Sequence, residues 1–129
     1  MKMRAVVLGG GLVGGVVARD LAGDLEVTVA DADKKRMERL RKAGLECMRT
    51  DLSKKEAIID AIKGADVVVN ALPGFMGFRA LKRVIKEGKS VVDLSFMPEN
   101  PLELDDAARK NGATVVVDMG VAPGMSNLL

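Results

Sequence analysis

The sequence predicts an α/β domain in which six parallel strands form a single sheet with helices on both faces. Three observations predict it. Short β-branched runs alternate with helical stretches along the whole chain, and several runs are nearly pure valine and isoleucine, without the polar alternation of a sheet wet on one side. A glycine also falls just ahead of most strands, where a preceding helix has to stop. With right-handed crossovers these elements make a doubly wound domain of strand order 3-2-1-4-5-6, the alternative being a flavodoxin-like order.

The strands are expected at Met3 to Leu8, Glu26 to Ala30, Leu45 to Arg49, Asp66 to Asn70, Ser90 to Leu94 and Thr114 to Asp118. Between them, apolar residues at helical spacing predict core-facing stripes: Leu12, Val16, Val17 and Leu21; Met37 and Leu40; Ile58 and Ile62; Leu81, Val84 and Ile85. Ser53 to Glu56 reads as a capping box, and Asn100, Pro101 and Glu103 supply a cap, an N1 proline and an N3 acid. Gly23, Gly44, Gly64, Gly88 and Gly112 are expected to close helices in the left-handed conformation.

Composition narrows the function classes. The 129 residues, 48% hydrophobic and 29% charged, suit one folded domain over 1–129 with a real core. Twenty basic residues against eighteen acidic ones are too balanced for a nucleic-acid surface or a polybasic membrane patch, so a small molecule is the expected partner. Cys47 is the sole cysteine, which leaves no intramolecular disulfide and no multi-cysteine metal site, and a reducing cytoplasm is expected. Lys2 and Arg4 precede an uncharged run, Ala5 to Ala18, that superficially copies a signal peptide. Its five glycines argue against that, and it is short of the about 20 apolar residues a span needs. Histidine, tyrosine, tryptophan and glutamine are all missing, which removes His-based triads, His-ligated zinc and a tyrosine general acid, and no metal is expected. The same four gaps suggest an edited or reconstructed sequence.

The first predicted strand runs into Gly9-Gly10-Gly11-Leu12-Val13-Gly14, which is G-x-G-x-x-G in the strand, turn and helix context that a Rossmann nucleotide site requires. Gly9 permits the tight turn, Gly11 lets the backbone approach a pyrophosphate, and Gly14 lets helix and strand pack closely. The free amides of Leu12 and Val13 would face the diphosphate. About 20 residues on, Asp31 stands where an acid binds the adenosine ribose hydroxyls of NAD and repels the extra phosphate of NADP. Lys34, Lys35 and Arg36 leave a lesser case for NADP, against their reading as a solvated helix face. Asp51 and Leu52 are expected near the adenine, Asp51 also reading as a turn former with Ser53. Ala71, Leu72 and Pro73 would line the middle of the cofactor, with Phe75, Phe78 and Phe96 at the mouth of the cleft. Asp93 and Asp118 are candidates for catalysis, although acids at strand ends also serve as caps and turn formers. With no histidine, and no lysine just after the last three strands, a general acid or base opposite a nicotinamide is missing.

The segment ALPGFMGF, the stretch DLSFMPENPLELDDAARKNGATVVVDMGVAPGMSNLL and the glycine loop with its distal acid together resemble the saccharopine dehydrogenase-like oxidoreductases, most closely archaeal lysine 6-dehydrogenase. The resemblance covers essentially the whole chain. It implies NAD-dependent oxidative deamination of the terminal amine of L-lysine, with hydride passing to the nicotinamide and the imine cyclising. It also implies a second α+β domain after the Gly-Val-Ala-Pro-Gly turn, and with the sequence ending at Leu129 that domain is expected to be missing. The expectation is therefore an isolated NAD-binding domain without turnover. The alternatives are an oxidoreductase completed by self-association or a partner chain, and a scaffold with no ligand. Val121, Met125, Leu128 and Leu129, bared by the missing domain, would favour homo-oligomers.

Overall fold

The computed structural model describes residues 2–94 and 104–116, the side chain of Phe75 apart. The chain alternates strand and helix throughout these residues: β1 (Arg4–Leu8), α1 (Leu12–Leu21), β2 (Glu26–Asp31), α2 (Lys34–Lys42), β3 (Glu46–Arg49), α3 (Lys55–Ile62), β4 (Val67–Asn70), α4 (Gly74–Lys86), β5 (Ser90–Asp93), α5 (Asp105–Asn111) and β6 (Val115–Val116). All neighbouring strands pair in parallel, in the order β3-β2-β1-β4-β5-β6. This is the doubly wound order and not the flavodoxin-like one. Each predicted strand is present within a residue or so of its expected bounds, β6 being described only as far as Val116.

Alternation along β1 explains why both faces of the sheet are covered. Ala5 and Val7 point to one side, where they join Val27, Val29 and Val69 under Ala18 of α1 and Met37 and Leu40 of α2. Val6 and Leu8 point to the other, with Val68 and Val91 under Ile58 and Ile62 of α3, Leu81, Val84 and Ile85 of α4, and Ala108 of α5. The inner strands β1, β4 and β5 are short and largely buried on both sides, which is why they read as aliphatic runs, whereas the edge strand β3 is mostly exposed.

Four expectations are corrected. In α1 the buried seam is Gly14, Gly15 and Ala18, flanked by half-buried Val17 and Leu21, whereas Leu12 and Val16 are exposed. Small residues let this helix sit close on the sheet, and a reading that weighs only bulky side chains misplaces the stripe. The Ser53 to Glu56 capping box does not form, because the Ser53 hydroxyl and amide both donate to Asp51 Oδ1; α3 begins at Lys55 behind Lys54, which supplies no side-chain cap. Gly44, Gly88 and Gly112 are left-handed as expected, but Gly23 and Gly64 are not. There the chain leaves α1 and α3 through right-handed residues, Ala22 and Lys63, with tight return bonds from Asp24 N–H to Leu21 O and from Ala65 N–H to Ile62 O. The second strand, expected to stop at Ala30, continues through Asp31 because Asp31 still pairs with Arg49. The predicted cap at Asn100, Pro101 and Glu103, together with Phe96, Asp118, Val121, Met125, Leu128 and Leu129, lies outside the described residues.

Candidate dinucleotide-binding site

Parallel register brings the carboxyl ends of β2, β1, β4 and β5 into one line, with Leu8 opposite both Ala30 and Asn70, and Asn70 opposite Asp93. The glycine loop rises at the centre of this edge. Gly9 turns with φ +98, a left-handed conformation that suits glycine, while its amide still donates to Ala30 O at 2.8 Å and so extends the pairing with β2. Ala71 N–H donates to Leu8 O at 2.9 Å on the other side, so the segment after β4 is tied to the same point.

The loop is packed so closely that side chains are excluded. A Cβ on Gly14 would run into the carbonyl oxygen of Gly9, and one on Gly9 would meet Ala71 O at 3.0 Å and Leu72 Cδ2 at 3.3 Å. Gly11 differs: a Cβ there would meet nothing nearer than the Arg36 guanidinium, at 3.8 Å. Gly9 and Gly14 are thus glycines for packing, and Gly11 leaves the loop open to the outside. Gly11 is also the N-cap of α1, has no side-chain cap bond, and is followed by no acid in the first turn. Leu12 and Val13 stand 88% and 58% exposed. A helix N-terminus left without its own acceptor, at an open surface and with its dipole unopposed, fits a diphosphate.

Asp31 closes β2 and is buried, yet its carboxylate is held in place by backbone. Oδ2 accepts the Gly10 amide at 2.6 Å and Oδ1 accepts the Asp33 amide at 2.9 Å. Arg36 NH1 lies 3.5 Å from Oδ2 and is half exposed. A carboxylate has about four lone-pair positions, so two amides and one guanidinium leave it able to accept a sugar hydroxyl. Asp33 caps α2 by accepting the Arg36 amide at 3.0 Å, and that bond holds its carboxyl below the usual carboxylate range.

The remaining predicted residues separate into groups. Ala71 and Leu72 are brought against Gly9, and Ala71 Cβ lies 3.3 Å from where a Gly14 Cβ would be; Pro73, next in line, is exposed and forms the N-cap of α4. Asp51 is exposed and bound to Ser53, whose hydroxyl bond lowers its pKa, while Leu52 is buried in the core under α3 and α4. Asp93 is fully buried, where Asn70 Nδ2 donates to its Oδ2 at 2.7 Å. The same Asn70 amide donates to Gly77 O at 2.8 Å and ties the first turn of α4 to the end of β4. Phe78 is half-buried in the core under α4. Cys47 is a strand residue with a free thiol, its pKa raised by burial.

Three contributors escape a motif reading. Gly10, an unspecified position of the fingerprint, is packed under α2, where a Cβ would make Met37 Cε at 2.9 Å and Leu40 Cδ1 at 3.0 Å give way, and its amide anchors Asp31. A third consecutive glycine was its only signal. Arg36 was visible as one of three adjacent cations, but its pairing with Asp31 needed the turn of α2. Asn70 was marked only by its place at a strand end, on the edge where an open parallel sheet meets its ligand, and nothing in the sequence announced its two side-chain bonds. Among the described residues no helix is long and apolar enough to cross a membrane.

Known proteins match this arrangement. Residues 5–116 match the model of the saccharopine dehydrogenase NADP binding domain. The mitochondrial alpha-aminoadipic semialdehyde synthase of Mus musculus is 26% identical over 132 residues, covering 99% of this chain and 14% of that protein. The apo saccharopine dehydrogenase (L-Glu forming) of Saccharomyces cerevisiae superposes with a TM-score of 0.86 at 28% identity, over 98% of this chain and 29% of that one. GenD2 from gentamicin A biosynthesis, solved in complex with NAD, superposes with a TM-score of 0.70 at 27% identity, over 90% of this chain and 34% of that one. The chain thus spans less than a third of the mouse protein and of the yeast chain. A doubly wound sheet, an uncapped glycine-rich helix start and a match over 5–116 converge on one assignment: the chain belongs to the saccharopine dehydrogenase NADP binding domain family and is an NAD(P)-binding domain of that type.

Proposed function

We propose that this domain binds NAD in preference to NADP, and that by itself it holds the cofactor without turnover. One observation carries the preference: the Asp31 carboxylate, fixed by the Gly10 and Asp33 amides at the end of β2. Such a carboxylate accepts a hydroxyl of an adenosine ribose and repels a phosphate in its place. Gly11, Leu12 and Val13 would hold the diphosphate on backbone amides, Gly9 and Gly14 keep the loop tight, and Ala71, Leu72 and Pro73 would wall the middle of the cofactor. When bound, the nicotinamide supplies a hydride acceptor or donor.

The absence of turnover is supported by the state of the acids. Asp93 is enclosed and hydrogen-bonded to Asn70, and the chain contains no histidine, so no described group is poised to pass a proton to a substrate. The reaction served in a longer enzyme is proposed to be oxidation of a carbon–nitrogen bond in a lysine-derived amine.

Arg36 favours a second reading. Its guanidinium, 3.5 Å from Asp31, supplies the kind of cation that accommodates the phosphate of NADP. Calorimetric titration with NAD, NADP and AMP decides between them. The NAD reading expects NAD to bind about tenfold or more tightly than NADP, a difference of about 1.4 kcal/mol. Equal or tighter NADP binding transfers the role to Arg36, and no heat from any ligand rejects both. Incubation with NAD and lysine should give no sustained NADH; a steady rate from this chain alone contradicts the claim of binding without turnover.

A further inference from the structure

A groove between α3 and α4 lies apart from the glycine loop and shares only Leu52 with the residues expected to meet a dinucleotide. It encloses about 240 Å³ and is lined by five cations, Lys55 from α3 and Arg79, Lys82, Arg83 and Lys86 from α4, over a floor of Leu52, Ile58 and Met76. No acid lines it. Among the described residues none of the five makes an ion pair, and Asp51, the nearest acid in sequence to Leu52, is bound to Ser53. Arg79, Arg83 and Lys86 recur at three- and four-residue spacing and so share one face of α4, opposite the buried Leu81, Val84 and Ile85. Since the whole chain is nearly balanced, with 20 basic and 18 acidic residues, this is a local excess and not general basicity.

The start of α3 is a second, independent sign. A helix N-terminus favours acids and side-chain oxygens. Here it presents Lys54 and Lys55, no side-chain cap, and a serine hydroxyl already bonded to Asp51. Glu56 is the single acid in the first turn and does not line the groove. Uncapped amides beside Ser53 and Lys55 therefore add donors to a wall that is already cationic. Each feature is unfavourable alone, and all are relieved by one multiply charged anion. The volume falls below the about 300–1,000 Å³ of sites that bury a drug-sized ligand, which suits a phosphate-bearing fragment and not a second dinucleotide.

We propose that the α3–α4 groove is a second anion site, distinct from the glycine loop, that takes a multiply charged phosphate group with or without a small organic moiety on its apolar floor. The test is a nitrogen-15 amide shift titration of the chain with inorganic tripolyphosphate, run with and without saturating NAD, and a parallel arm with fructose 1,6-bisphosphate. Saturable shifts are expected at Lys55, Arg79, Arg83 and Lys86, with a dissociation constant below about 1 mM. They should persist in NAD and weaken steeply with salt. The triple variant R79Q/R83Q/K86Q should bind tripolyphosphate about tenfold more weakly, a loss of about 1.4 kcal/mol, while its amide spectrum elsewhere stays that of the folded parent. Tighter tripolyphosphate binding identifies a free polyphosphate, and tighter bisphosphate binding an organic ester seated on Leu52, Ile58 and Met76. Shifts confined to the loop from Gly9 to Val13, unchanged affinity in the triple variant, or no saturation by either probe would overturn the proposal.

Discussion

A methyl group at Gly14 has nowhere to go, because the atom it meets is the carbonyl oxygen of Gly9, which is itself pinned through the Gly9 amide to β2. A side chain could swing aside; backbone cannot without moving the sheet edge. Gly14→Ala is therefore expected to cost about 1–3 kcal/mol of stability, as overpacking does, and to weaken NAD binding about tenfold or more; urea denaturation and calorimetry read the two effects. Asp31 acts in the opposite sense, by holding on. Asp31→Asn keeps the shape but turns an acceptor-only group into one that also donates, against the amides of Gly10 and Asp33. The expected outcome is weaker NAD binding with NADP binding less affected, which the same titrations measure. The turn at Gly9 and the close packing at Gly14 were legible from spacing alone, since each demands glycine at a fixed place, and the same spacing marked Gly11 and Asp31 as the proposed diphosphate and ribose positions. Gly10 and Arg36 were not, because their roles come from the fold of α2 over the loop and leave no local pattern.

At the scale of elements, what the sequence revealed depended on side-chain size. Met37 and Leu40 in α2, and Leu81, Val84 and Ile85 in α4, were readable as buried stripes because large apolar groups dominate a helical period. The face of α1 was misread because its contact is made by Gly14, Gly15 and Ala18, which carry little hydrophobic signal. Capping at α3 failed for a similar reason: Ser53 had a nearer partner in Asp51, and local competition of this kind cannot be settled from spacing. The joint between β4, β5 and α4 was likewise hidden. Fully buried Asn70 donates to both Gly77 O and Asp93 Oδ2, so Asn70→Val removes a donor from each. Losing two buried hydrogen bonds, one of them to a carboxylate, costs about 1–3 kcal/mol. Chemical denaturation should show a loss of at least that size, and hydrogen exchange should rise first in the opening turn of α4.

Over the whole molecule, the parallel order β3-β2-β1-β4-β5-β6 brings the glycine loop after β1, Asp31 at the end of β2 and Ala71 after β4 to one edge of the sheet, while Leu52 is drawn into the core under α3 and α4. That convergence comes from register, which no single motif contains, and it makes binding and folding one equilibrium. Ligand that binds the folded form alone stabilises it by about 2.7 kcal/mol at a hundredfold excess over the dissociation constant. For a chain of this length that is a rise in Tm on the order of 10 °C. Thermal unfolding with NAD should show it, and Gly14→Ala should blunt it. The most direct measurement is a crystal structure of the chain grown with NAD. The diphosphate is expected within hydrogen-bond distance of the Leu12 and Val13 amides, with the adenosine ribose on the Asp31 carboxylate. A dinucleotide bound elsewhere, with the first turn of α1 facing solvent, would contradict that placement.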